Sequence, residues 1–313
     1  MSRFASVGHM ARFGRPLWSA YDRPDEVAAI KIIGGNPSRT YDAFNVDHVF
    51  AVLSVRLCLD MNLANPVTLP LAQTAVNVYM RMVDSVDPST GAMFTTTPSE
   101  PILANAAMRH LCRGMSWAFS IKTFTTELLN RGAIDKGRKG ELCSRLVLTL
   151  AHDAIAGINA ADTSFKAVLP VFTVERFLKA LYAKTYHAAI DSIDGEILSA
   201  RMNFLSFTST EEYLTAESFE RLCFILLRRC SALQLAPCQK TYDQVLPFYT
   251  GDPDQAFDPS KVGAVLVQVK NRTETSTPSS ILKEDFFSVD GPQPEQRTRR
   301  PLVRTDFQHI IFE

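Results

Sequence analysis

The chain has 313 residues, 46% of them hydrophobic, and carries 33 basic against 33 acidic side chains, for a formal net charge of zero. That apolar content is enough for one large or two medium globular domains and excludes a disordered or fibrous chain. The charge balance excludes a bulk positive field, so any nucleic-acid binding has to rest on local patches.

The six cysteines (58, 112, 143, 223, 230 and 238) form no CxxC pair. Several fall within apolar helical patterns, which points to buried free thiols in a reducing compartment and indicates neither a zinc site nor a disulfide frame. No apolar run reaches the ~18 residues of a membrane span, and the N-terminus lacks a signal-peptide core. We therefore expect a soluble intracellular protein, nuclear or cytoplasmic, with no membrane partner. Arg3, Arg12 and Arg15 precede the first acid, Asp22, as in a mitochondrial presequence, but Gly8, Gly14 and Pro16 interrupt any amphipathic helix there.

Apolar residues recur at helical spacing from Val46 to Met61, and Ala72 to Val83 is a second apolar segment readable as helix or strand. A turn-rich stretch over 84–91 leads to a short threonine-rich strand at 93–97. Ser99 then reads as the N-cap of a further helix with Pro101 in its first turn. Residues 1–115 thus read as a mostly helical domain. A helix over 116–130 closes at Arg131-Gly132, and after a basic turn another runs from Glu141 to about 155, with Leu142, Leu146, Leu150 and Ala154 as its stripe. Helices near 174–184 and 215–229 flank a β-rich pattern at 197–207. Strands follow at 232–235, 242–249 and 262–270, then a helix at 279–287 and a terminal strand at 302–312. This succession predicts the α/β class, with a mixed central sheet flanked by helices over 116–313 and the helical domain before it.

The chemistry gathers at the end of the 262–270 strand, where an apolar run gives way to Gln268, Lys270 and Arg272. Gln268 and Lys270, two apart, share one face of the strand. An isolated Gln-x-Lys is more often a capped edge beside a snorkelling lysine. Its weight rises with Asp243 at the entry of the preceding strand and Glu141 in the first turn of a helix, where the helix dipole by itself also accommodates an anion. Hydrolysing a phosphodiester requires hard oxygens around Mg²⁺ with open positions for phosphate and water, and two carboxylates provide such oxygens.

Glu141, Asp243 and Gln268-x-Lys270 together resemble the PD-(D/E)XK nuclease superfamily. The closer likeness is to the nuclease module of crinkler and retrotransposon hot spot type NTPase-nuclease proteins and their fungal relatives. Gly140-Glu141 with Arg145 one turn on, the segment 237–243 and Gln268-x-Lys270 carry that likeness. Gly14-Arg15-Pro16-Leu17-Trp18 and Ser99-Glu100-Pro101-Ile102-Leu103 look like the tail of the NTPase module that precedes such nucleases. The resemblance implies a restriction-endonuclease-like sheet over 116–313 and metal-dependent cleavage of DNA with Mg²⁺ or Mn²⁺. It implies Glu141, Asp243 and Gln268 as metal ligands and Lys270 as the catalytic lysine. Arg145, Arg272 and Lys139 become contacts to substrate phosphate, and an upstream NTPase module or a second copy of the chain becomes a partner.

The chain departs from the family pattern in several places. It has no GxxxxGK[ST] loop, so no NTP hydrolysis is expected, and the chain reads as the C-terminal portion of a longer protein. Asp243 follows Tyr242 where the family has proline, and Asp252, Asp254 or Asp258 of the following loop are alternative ligands. Gln268 leaves the site one negative charge short. Two other readings therefore stand beside the nuclease: a silent nuclease fold that binds nucleic acid or a protein, and a helical interaction module with no active site. His152-Asp153 lacks the further histidines of a metal phosphohydrolase, and Phe219, Leu222, Cys223, Leu226 and Leu227 read as core packing.

Overall fold

The computed structural model describes residues 6–62, 65, 68–89, 91, 93–113, 116–134, 139–156, 171–236, 242–252, 255–269 and 308–312. The chain forms two compact units, one of Ser2–Pro170 with Leu205–Phe207, the other of Val171–Phe204 with Thr208–Glu313. The division falls later than the expected 115/116 boundary because the two helices that follow 115 pack on the helical core.

The helical unit contains α1 (Val7–Met10), a 3₁₀ turn (Pro16–Ala20), α2 (Pro24–Lys31), α3 (Val46–Leu57), α4 (Thr68–Val78), β1 (Met82–Val86), β2 (Met93–Thr96), α5 (Pro101–Leu111) and α6 (Ser116–Thr123). A π turn (Phe124–Leu129) extends α6, and α7 (Lys139–Ala156) follows. Asn45 caps α3 by accepting from the Asp47 and His48 N–H groups. The segment readable as helix or strand divides between the two. α4 ends at Val78 and β1 starts at Met82, with Met80 between them in left-handed backbone at φ 67°. Ser99 does not cap α5. Glu100 holds that position without a side-chain cap bond, because its carboxylate accepts from Arg15 Nη1 (2.9 Å), the Arg15 N–H (3.1 Å) and Trp18 Nε1 (2.9 Å). Gly14, at φ +97°, passes so close to the Glu100 side chain that a Cβ would collide with it. The two short motifs in the N-terminal third thus meet at one carboxylate.

α3 and α5 form the centre of this unit: every residue from His48 to Leu57 is buried, as is all of α5 except Arg109. A helix buried all round has to satisfy its polar groups internally. Arg56, fully buried, donates to both oxygens of Asp153 on α7 at 2.7 and 3.2 Å, and Asp153 also accepts from Trp117 Nε1 (2.9 Å) and His152 Nδ1 (2.8 Å). Burial alone would raise the Asp153 pKa, but Arg56 and His152 hold it below the usual carboxylate range. Deleting one partner of such a pair costs about 3–5 kcal/mol. This pairing also alters the face that α7 turns inward. Leu146 and Leu150 are only partly buried and Ala154 is exposed, whereas Leu142, Arg145, Leu148, Thr149 and His152 form the interior face.

The second unit contains β3 (Phe172–Thr173), α8 (Val174–Leu181), α9 (His187–Asp191), α10 (Gly195–Ser199), β4 (Arg201–Met202), the second half of β5 (Ser206–Ser209), α11 (Ala216–Arg228), β6 (Ser231–Gln234), β7 (Gln244–Tyr249), β8 (Val262–Val269) and β9 (Gln308–Phe312). The β-rich pattern expected from 197 begins only at Arg201, since Asp194 caps a short helix by accepting from the Glu196 N–H. The expected helix at 279–287 lies outside the described residues. The strands form a mixed sheet in the order β3-β4-β7-β6-β5, with β8 on the free edge of β7 and β9 on β8. β4, β6 and β8 each run antiparallel to β7, and β9 runs parallel to β8. Pro247, which has no N–H to give, lies where the second edge of β7 passes from β6 to β4.

A capping box between Thr215 and Ser218 starts α11, which lays Phe219, Cys223 and Leu226 on Leu233, Val245, Ala264 and Leu266 of the sheet. Each such fully buried Leu or Phe side chain contributes roughly 1.5–3 kcal/mol. The chain is therefore a mixed α/β protein, and among the described residues no helix is long and apolar enough to cross a membrane.

His110 sets an acid limit on the helical unit. Its Nε2 donates to the Ala29 carbonyl at 2.9 Å and its ring stacks on Tyr41, and burial brings its pKa down to about 4. An unfolded histidine titrates near 6.5. The unfolded chain therefore takes up this proton first as pH falls, so the contribution is complete above about pH 6.5 and declines down to about 4. Between pH 7 and 5 the unfolding free energy of His110→Gln should fall about 2 kcal/mol less than that of the wild type. Urea denaturation at the two pH values measures this, and equal losses would show that His110 is not held neutral.

Candidate functional site

β7 and β8 pair from Tyr249↔Val262 to Gln244↔Val267, and Asp243 stands just beyond the last pair, as Gln268 does on the other strand. Backbone and side chain both hold Asp243 in place. Its N–H donates to the Val267 carbonyl (2.8 Å), and its carbonyl accepts from the Leu235 N–H (2.8 Å) and Gln234 Nε2 (3.0 Å). Its Oδ2 accepts from the Val269 N–H at 2.6 Å. Burial raises the Asp243 pKa, and the Val269 N–H partly opposes that rise. Gln234 is fixed in turn by Gln244, whose Nε2 donates to Gln234 Oε1 at 3.1 Å. Gln268 Oε1 is buried and has no hydrogen-bond partner among the described residues.

Val245 and Leu266 both face α11, so strand alternation puts Gln268 on that same covered face, whereas Asp243 sends its N–H to β8 and takes the Leu235 N–H on its carbonyl, a departure from regular strand alternation. The polarity of α11 follows from its aromatic contacts. Phe224, in its second half, stacks on Phe257 at 4.6 Å, and Phe257 stacks on Tyr249 at 4.8 Å, at the far end of the hairpin. The first turns of α11 therefore point toward the Asp243–Gln268 end, where Leu214 and Phe219 join the cluster of Leu235 and Tyr242. Those turns carry Glu217 and Glu220, of which Glu220 is exposed. The sequence reading passed over this acidic helix start, although the Thr215/Ser218 capping pattern just ahead of the strands marks it.

Of the residues expected from sequence, Asp243 and Gln268 come together. Glu141 stands in the first turn of α7, within the helical unit, and not in the sheet unit that holds those two. Arg145 is only 4% exposed and donates from Nη1 to the Cys58 carbonyl at 3.0 Å. Cys58 is the left-handed C-cap of α3, so this guanidinium serves a helix end. Lys270, Arg272 and the Lys139 side chain lie outside the described residues, as does Asp254. Asp252 is exposed, and Asp258 caps a 3₁₀ turn by accepting from the Ser260 N–H (2.9 Å) and Oγ (2.8 Å), bonds that hold its pKa below the usual range.

Among the described residues no group of three or more His, Cys, Asp or Glu side chains converges. What the hairpin end offers is one carboxylate and one amide oxygen, both hard donors. The family model described as "Domain of unknown function (DUF8736)" matches residues 46–280. The chain belongs to this family. The matched range begins at α3 and extends past β8, so the family domain includes Asp243, Gln268 and Lys270. No curated protein and no solved structure matches the chain.

The Asp243 carboxylate also stabilises the end of β8. Asp243→Asn keeps an acceptor for the Val269 N–H and should change stability by less than about 1 kcal/mol, whereas Asp243→Ala should cost about 1–2 kcal/mol. Denaturant unfolding together with hydrogen exchange at Val269 checks this. Unchanged protection of Val269 in the alanine variant would remove the carboxylate's structural part.

Proposed function

We propose that the chain is a metal-dependent nuclease of the PD-(D/E)XK type that hydrolyses DNA phosphodiesters at the end of the β7–β8 hairpin. The observation that carries this reading is the Asp243 carboxylate on the Val269 N–H, next in the chain to Gln268, whose buried oxygen has no partner among the described residues. In the resembled family a strand aspartate and a hairpin-partner Q-x-K build one site, and β7 and β8 form such a hairpin. A helix leading into an antiparallel run of β6, β7 and β8, followed by a strand parallel to β8, supports the restriction-endonuclease-like class.

The donor set suits a hard cation. Asp243 and Gln268, with one helical acid, would hold Mg²⁺ or Mn²⁺, which when bound supplies positive charge toward a phosphate oxygen. Glu141 is the acid that the resemblance implies. Glu220 competes with it because α11 leads directly into the strands and packs on them. Lys270 would position the attacking water, accept its proton and offset charge building on the phosphorus oxygens. Arg272 and Lys139 remain candidates for phosphate contacts, which would position DNA without reading its sequence. Arg145 drops out of that set because its guanidinium is buried against the end of α3. A nuclear or cytoplasmic setting belongs to the same proposal.

The second reading is a silent nuclease fold that binds nucleic acid, and one observation favours it. Among the described residues of β7, β8 and their ends, the site offers one carboxylate, Asp243, whose charged form burial disfavours, and the neutral amide of Gln268.

Cleavage of plasmid and single-stranded DNA with Mg²⁺ or Mn²⁺ tests both readings. Asp243→Asn and Lys270→Ala should each lower cleavage by roughly 100-fold or more, with Asp252→Asn changing it less than about twofold. Gln268→Glu should tighten Mn²⁺ binding about tenfold. DNA retention without cutting would select the silent binder, and neither cutting nor binding would discard both.

A further inference from the structure

The buried and half-buried arginines of the helical unit are balanced in different ways. Arg15, Arg56 and Arg109 face Glu100, Asp153 and Asp25 at 2.9, 2.7 and 3.1 Å. Arg81 is 6% exposed, and its bonds run to neutral acceptors: Nε to Thr95 Oγ1 (2.7 Å), Nη1 to Thr97 Oγ1 (2.9 Å), and Nη2 to the carbonyls of Leu59 (3.1 Å) and Thr95 (3.0 Å). These use four of the five guanidinium N–H groups. The Phe50 ring lies 5.3 Å from the guanidinium carbon. Burial lowers the Arg81 pKa to about 10, so the group remains a cation at neutral pH. Asp60 favours the charged form through space, but every group hydrogen-bonded to the guanidinium is neutral, and an anion in contact would relieve the cost of its burial.

A small pocket adjoins this guanidinium, lined by Arg81, Ser54, Tyr79, Thr97 and Phe50, with ≈ 10 Å³ for the centre of a water-sized sphere. That is room for about one water or one monoatomic ion. Ser54 is 3% exposed, and its Oγ is buried with no hydrogen-bond partner among the described residues. A serine inside a helix ordinarily donates to a carbonyl of the preceding turn or points to solvent. Ser54 therefore brings a hydroxyl to the same pocket that the arginine lines. The pocket is too small for phosphate or sulfate, and a water there would leave the guanidinium without an anion in contact.

We infer that the pocket between Arg81 and Ser54 is a binding site for a single halide, chloride in physiological salt, which neutralises Arg81 and ties β1 to α3. The inference is independent of the nuclease reading.

The first probe is chloride itself, followed by ³⁵Cl NMR line broadening in the presence of the full chain and by the melting temperature in about 0.2 M chloride against gluconate of equal ionic strength. A site about tenfold saturated should raise Tm by about 2–4 °C over gluconate, and the broadening should be competed away by bromide. Ser54→Val fills the pocket and should abolish both effects, while Ser54→Ala removes only the hydroxyl and should weaken halide binding several-fold. Because the NMR measurement is made on the wild type, it stands even if a variant folds poorly. Equal Tm in both salts with no competed broadening would assign the pocket to a water and overturn the inference, as would an undiminished effect in a folded Ser54→Val.

Discussion

The antiparallel ladder between β7 and β8 is the constraint on which the sheet unit depends. Its register decides which residues of two apolar strands face α11, and a one-residue slip of β8 would turn Gln268 to the opposite face together with Leu266. Gly263 fixes one end of the ladder, since any Cβ there would meet the Phe248 ring. Asp243 fixes the other end, where its carboxylate takes the Val269 N–H in place of a further backbone partner. The candidate chemistry therefore lies at the end of a six-pair antiparallel ladder, an arrangement suited to a site that must hold oxygen donors in fixed places.

The helical unit is organised by a different constraint, the need to satisfy arginine inside a helical core. α3 and α5 have almost no solvent-facing side, so each cation that they or their neighbours bury needs a dedicated acceptor. Asp153 serves Arg56, Glu100 serves Arg15, the Cys58 carbonyl serves Arg145 and the Thr95–Thr97 strand serves Arg81. These contacts span 97, 85, 87 and 14–16 positions of sequence. They tie together segments that no local propensity would bring into contact. Such a core trades some stability for a defined arrangement, since a polar group misplaced there loses its only partner.

How much of this was legible in the sequence follows from the range of each signal. The helices at α3, α5 and α11 and the strands β6 to β8 are periodic or apolar over most of their length, so pattern alone located them. The interior face of α7 was misread because apolar periodicity picks out Leu146 and Leu150, while the pairing of Asp153 with Arg56 turns His152 and Arg145 inward. Ser99 was misread as a cap for a similar reason, since the groups that occupy Glu100 come from residues 15 and 18. At the candidate site, Asp243 and Gln268 could be paired from two strands and a turn. The burial of Arg145 could not be foreseen, because the carbonyl that accepts from it belongs to another helix.

The same consideration bears on the helical acid of the proposed site. A glutamate in the first turn of a helix is stabilised by the helix dipole wherever that helix lies, so the position of Glu141 carries little information about chemistry. α11 differs, because its direction is fixed by Phe224 on Phe257 at one end and by Phe219 among Leu235 and Tyr242 at the other. Glu220 is thereby carried to the polar end of the hairpin by the packing that holds the sheet together. In such a fold the acid need not be selected for its own placement. It requires only a helix whose apolar face already dictates where its first turn must lie.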